Sequence, residues 1–208
     1  MTQQLIYLTN MAGNFKKLDL LFFLFLLLSC EKPMQNQKEI VKEIINQNMK
    51  VYISNLYGLP IADQKNGKFQ IFLIKKAGNK NFFKEQCESI IEMGVPNSIV
   101  NCKNDYFNLL KKEGFSINDK TKYLSFEIDK LADENIKLIA NDSDIKEDAY
   151  VEIRFSNMYI DNNIKKSFIV LEETDFSEGR YGGKVDIYFY EELEGKWVFY
   201  KKLMLITA

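Results

Sequence analysis

The stretch that decides the fold is Val151-Glu152-Ile153-Arg154-Phe155-Ser156. Apolar and polar residues alternate through it. A strand sends successive side chains to opposite faces, so the segment reads as a strand with one dry and one wet face. Asp161-Asn162-Asn163 follows as turn chemistry, since short amide and carboxylate side chains hydrogen-bond nearby backbone. Ser167–Leu171 is the returning strand. Phe176–Gly183 holds Gly179, Gly182 and Gly183 and reads as a loop. Lys184–Glu191 alternates again, with Val185, Ile187 and Phe189 on one face and Asp186, Tyr188 and Tyr190 on the other. Glu194-Gly195 turns the chain, and Lys196–Ile206 closes it with Trp197, Phe199, Leu203 and Leu205. Four strands joined by short connections predict an antiparallel meander.

Upstream the period changes. Ile40, Val41, Ile44, Ile45, Met49, Tyr52, Ile53 and Leu56 recur at helical spacing, predicting one helix over Gln37–Leu56 that Gly58 and Pro60 stop. Tyr57–Lys68 reads as a loop and Phe69–Ile74 as a short strand. Asn81–Met93 reads as a helix, and Asn104–Lys112 as another with Asn104 as its cap. Tyr123–Ile128 suits a strand, while Leu131–Ile139 is ambiguous. Helices before and sheet after define an α+β fold, with N-terminal helices packed on a C-terminal antiparallel meander sheet.

Composition narrows function by exclusion. The chain has 208 residues, a formal net charge of −1 and no histidine. Without histidine there is no Ser-His-Asp or Cys-His constellation and no His-ligated zinc. Near-neutral charge argues against a nucleic-acid partner, which calls for a basic patch. The 16 Phe and 11 Tyr argue for a packed domain rather than a disordered tail.

Five features could carry chemistry. Asn141-Asp142-Ser143-Asp144 with Glu147 and Asp148 offers oxygen ligands for calcium. It lacks the turn glycine and terminal glutamate of a helix–loop–helix site, and reads better as a solvated acidic turn. Glu172, Glu173, Asp175 and Glu178 could supply paired carboxylates for a hydrolase. Gly179-Arg180-Tyr181-Gly182-Gly183 could cradle a phosphate, though its spacing matches no phosphate loop and a hairpin connection explains it. Tyr188, Tyr190 and Tyr200, expected on one sheet face, form either a binding surface or the floor beneath the first helix. Cys87 and Cys102 form either a disulfide or two separate thiols. No residue set reads as catalytic or as metal-binding, and no cofactor is implied.

The address of the chain is written nearer its start. Leu20–Leu28 is an unbroken apolar run preceded by Lys16 and Lys17. It is about half the roughly 20 residues a spanning helix needs, and fits the apolar region of a secretory signal. It ends in Leu27-Leu28-Ser29-Cys30, which resembles the lipobox of bacterial lipoprotein precursors. That resemblance implies lipidation of Cys30 and removal of residues 1–29, with either Met1 or Met11 as the start. Glu31–Gln37 is polar and aperiodic, so residues 30–37 read as a lipidated tether and residues 38–208 as a single α+β domain. The protein would be anchored to the membrane through its lipid, in the cell envelope outside the cytoplasm, with the outer membrane preferred to the inner. Such an address makes an envelope protein or a glycan the natural partner. The expected function is a non-enzymatic binding or structural module. The alternative is a carboxylate-dependent periplasmic hydrolase. Helices followed by a meander that ends in a Gly195-Lys196-Trp197 strand also resemble cone-shaped folds of the nuclear-transport-factor-2 type. That likeness implies a small-ligand pocket.

Overall fold

The computed structural model describes residues 32–56, 70–85 and 98–207. The apolar run Leu20–Leu28, Cys30, the expected loop to Lys68 and Cys87 lie outside them. Contacts divide the chain into Met1–Glu39 and Ile40–Ala208. Of the first unit, only the opening turns of one helix are described.

The described residues form a mixed α+β fold in which sheet predominates. Helix α1 runs Lys32–Gln47 and α2 runs Met49–Ser54. The single helix expected over Gln37–Leu56 is thus broken at Asn48. The Asn48 side-chain amide donates to the Ile44 carbonyl at 2.9 Å beside the Asn48 backbone N–H at 3.1 Å, and with φ of −104° and ψ of 11° the Asn48 backbone departs from regular helix. The helix also starts at Lys32, earlier than the apolar period implies, with Pro33 tolerated in its first turn. The apolar stripe survives the break: Val41, Ile44, Ile45, Met49 and Tyr52 are all buried.

Strands β1 (Gln70–Ile74) and β2 (Lys76–Ala77) come next, then helix α3 (Ser98–Lys112). Asn104 lies inside α3 and does not cap it, because the helix extends upstream to Ser98. Strand β3 (Phe126–Glu127) is only two residues and pairs with β2. The ambiguous Leu131–Ile139 segment contains β4 (Ile136–Ile139). The long strands follow: β5 (Tyr150–Asp161), β6 (Lys166–Ser177), β7 (Arg180–Leu193) and β8 (Lys196–Thr207).

The main sheet has the order β4-β1-β5-β6-β7-β8. Strands β5 to β8 form the expected antiparallel meander, but the sheet does not stop there. Strand β1 pairs in parallel with both β4 and β5. Its sequence explains the position: Ile71, Phe72, Leu73 and Ile74 are buried in succession, as in a strand covered on both faces.

The loop expected over Phe176–Gly183 is absent. Strand β6 continues to Ser177 and β7 starts at Arg180, so only Glu178-Gly179 turns. These two residues have φ of 53° and 73°, and Glu194-Gly195 repeats the pattern at 51° and 77°. Positive φ at both central residues is the type I′ turn, whose twist matches that of paired strands. The two glycines Gly182 and Gly183 are strand residues opposite Asp175 and Thr174.

Each sheet face carries its own apolar cluster. One joins the helix stripe to Ile71, Leu73, Val151, Ile153, Phe155, Tyr188 and Tyr190. The other joins Tyr106 and Leu110 of α3 to Phe168, Val170, Ile187 and Phe189. A cone-like sheet wraps one interior; this one is packed on both sides. Fully burying a side chain of this size contributes about 1.5–3 kcal/mol, so the alternation along β5 to β7 is strongly held in register.

Candidate functional site

At one end of the meander the second face is polar instead of apolar. Tyr150, Glu152 and Arg154 of β5 stand beside Glu172 and Thr174 of β6 and Tyr181 of β7. Lys80, Asp142 and Ser143 complete the wall of a cavity of about 460 Å³. Strand alternation puts these groups together: Val151 and Ile153 point into the first core, so Glu152 and Arg154 face the other way. Register then sets Arg154 directly across from Glu172, and Glu152 across from Thr174.

Arg154 Nη2 donates to Glu152 Oε1 at 3.2 Å, and both side chains are largely buried, at 14% and 12% exposure. Burial pushes the Glu152 carboxyl up from the ordinary range. Arg154 opposes that shift, while the neighbouring charges of Asp142 and Glu172 add to it. Among the described residues, Arg154 Nε and Glu172 Oε1 are buried and have no hydrogen-bond partner. The mouth is aromatic: Tyr150 packs on Phe176 at 5.5 Å between centroids and Phe176 on Tyr181 at 4.7 Å. Tyr181 is 71% exposed. Burial, followed by the Tyr181 hydroxyl, raises the affinity of the Tyr150 hydroxyl for its proton.

The expected carboxylate group does not assemble. Glu172 faces the cavity, and Glu178 lies at the exposed turn. Glu173, one residue along the strand from Glu172, reaches a buried ionic cluster where Lys184 Nζ is 3.9 Å from its Oε2. In that cluster Lys184 Nζ also lies 2.9 Å from Asp186 Oδ2 and donates to the Asn55 carbonyl, and Lys202 Nζ lies 3.4 Å from Asp186 Oδ2. The carboxylate that joins Glu172 is Glu152, on the next strand. Sequence reading missed it because the pairing depends on register. The signal was present in the alternation of β5, whose wet positions are Glu152 and Arg154.

The other candidates resolve as follows. The backbone of Arg180–Gly183 is committed to the ladder with β6, so the glycine segment is no phosphate cradle. In the acidic turn, the Asn141 N–H donates to Asp144 Oδ2 at 3.1 Å and Glu147 pairs with Lys137 at 3.3 Å. Among the described residues no cluster of three or more acids and thiols is arranged to hold a metal ion.

Tyr188, Tyr190 and Tyr200 do not share a face. Tyr188 and Tyr190 are buried in the first cluster, and the Tyr190 hydroxyl bonds that of Tyr52. A register shift between Phe189 and Tyr190 places an extra residue in β8. That bulge sends Tyr200 to the other side, against Phe189 at 6.1 Å. Cys102 belongs to α3, and its expected partner Cys87 lies outside the described residues.

Among the described residues no helix is long and apolar enough to cross a membrane. Compared with protein-family models, curated proteins and solved structures, the chain matches none.

Proposed function

We propose that this chain is a lipid-anchored protein of the cell envelope whose α+β domain is a binding module. The observation that carries the address is the uncharged run Leu20–Leu28 ending in Leu27-Leu28-Ser29-Cys30. Acylated at Cys30 with two or more chains, the protein would be held stably without a spanning helix. In this reading the N-terminal helices close one face of the meander, and the polar cavity of Glu152, Arg154 and Glu172 on the other face meets the ligand. Intact mass and radiolabelled palmitate incorporation in a bacterial host, wild type beside Cys30→Ala, test the anchor. Label that disappears in the variant supports the reading. Unlabelled protein that retains residues 1–29 refutes it.

A second reading, a carboxylate-dependent hydrolase, is favoured by one observation: Glu152 and Glu172 line the same cavity, and burial raises the Glu152 carboxyl from its ordinary range. A raised carboxyl is the property a general acid needs. Turnover of chromogenic glycosides that is lost in both Glu152→Gln and Glu172→Gln would establish it. Absence of turnover leaves the binding module.

A further inference from the structure

We infer that the cavity between β5, β6 and β7 takes the hydroxyl groups of a neutral saccharide. The inference deepens, and rests on, the binding-module reading above. Its first ground is the pair of orphaned atoms. Arg154 Nε–H is a donor without an acceptor, and Glu172 Oε1 is an acceptor without a donor, both buried. The two residues face one another in register across adjacent strands. An unmade buried hydrogen bond is costly, and native structures leave few of them. A hydroxyl donates and accepts at once. A sugar edge entering the cavity beside these two side chains could therefore bond both residues, which a group that only donates or only accepts cannot do.

The second ground is charge. Asp142, Glu152 and Glu172 line the cavity together with Lys80 and Arg154. A lone anion would meet three carboxylates, and a lone cation would meet a guanidinium and an ammonium. A neutral polyol meets no like charge and can still bond every one of them. Ser143, Thr174 and the Tyr150 hydroxyl extend the same vocabulary around the wall.

The third ground is shape and rim. A volume of about 460 Å³ lies within the usual range of small-molecule sites, roughly 300–1,000 Å³. The exposed ring of Tyr181, backed by Phe176 at 4.7 Å, offers a fixed apolar surface at the mouth. A sugar ring carries its C–H groups on its faces and its hydroxyls around its edge. It can therefore lie against Tyr181 while its edge reaches Arg154 and Glu172, the division of labour for which an amphipathic aromatic at a binding site is suited.

The test uses the full chain, purified in detergent, on an array of neutral and charged glycans, followed by calorimetric titration with the best neutral oligosaccharide. Glycine-glycine and spermidine serve as zwitterionic and cationic comparisons. Wild type, Glu172→Gln, Arg154→Met and Tyr181→Ala are compared. Tyr181 is exposed, so its variant keeps the fold even where the buried variants lose it. The expected result is binding of a neutral oligosaccharide that weakens at least tenfold in each variant, with circular dichroism of Tyr181→Ala unchanged. No binding across the array overturns the saccharide assignment, as does neutral-glycan binding that all three variants retain. Preferential binding of glycine-glycine or spermidine, lost in Glu172→Gln, also overturns it but preserves the binding module. Palmitate labelling reads the anchor separately, so failure of the address cannot be confused with failure of the ligand class.

Discussion

Replacing Lys184 with Met should be among the most damaging single changes available to this fold. Lys184 is 6% exposed and lies between the carboxylates of Asp186 and Glu173, both fully buried. Methionine preserves much of the apolar stem and removes the charge. Asp186 then keeps Lys202, at 3.4 Å, and the Asn55 carbonyl loses its donor. Breaking a buried ion pair by removing one partner costs about 3–5 kcal/mol, since an uncompensated charge stays behind. That is a large part of the roughly 5–15 kcal/mol that holds a domain folded. At about 2–4 °C per kcal/mol for a chain of this size, the melting temperature should fall by roughly 6–20 °C. Urea unfolding followed through Trp197, the sole tryptophan, provides the assay. The triple variant Lys184→Met, Asp186→Leu, Glu173→Leu should recover most of the loss, because apolar replacement of a whole buried ionic group is often neutral. A single-variant cost under about 1 kcal/mol, the value of an exposed pair, would refute the reasoning. So would a triple variant no more stable than the single.

Tyr52→Phe leaves the Tyr190 hydroxyl buried without its partner and should cost about 1–3 kcal/mol, while adding Tyr190→Phe should cost little more; additive losses in the double-mutant cycle would show that the two hydroxyls do not interact. Burial holds the Tyr52, Tyr188 and Tyr190 hydroxyls above the ordinary tyrosine range. The unfolded chain releases these protons near pH 10 and the folded chain retains them, so stability is full below about pH 10 and falls as pH rises further. Urea midpoints should therefore hold to about pH 10 and decline above it, and a flat profile would contradict the burial. Glu178→Asn places the preferred residue at a positive-φ turn position and should raise stability by under about 1 kcal/mol; a lowered unfolding midpoint would argue against the tight turn.

The alternation of β5 and β7 was legible because each side chain meets the same environment as its second neighbour along the strand. Val185, Ile187 and Phe189 do face one core, while Tyr188 and Tyr190 face the other. Tyr200 escaped the pattern because a bulge inserts one residue and reverses the count. The glycine segment misled for a related reason. Gly182 and Gly183 look like loop residues, yet the turn needs only Glu178 and Gly179.

What the sequence determined by itself is local: the stripe of α1 and α2, the two faces of the meander strands, the turns at Asn162 and Gly195, and the absence of histidine chemistry. These depend on periods of a few residues and on single side-chain types. The tertiary structure decided everything that joins distant positions. It set β1 in parallel between β4 and β5, and it continued β6 past Leu171 to Ser177. It brought Glu172 to Glu152 and Arg154, and it buried Lys184 against Asp186. Strand register and the order of strands in the sheet cannot be read from neighbours in the chain. They are selected by which arrangement buries the apolar faces together and leaves the fewest charges dry and unpaired.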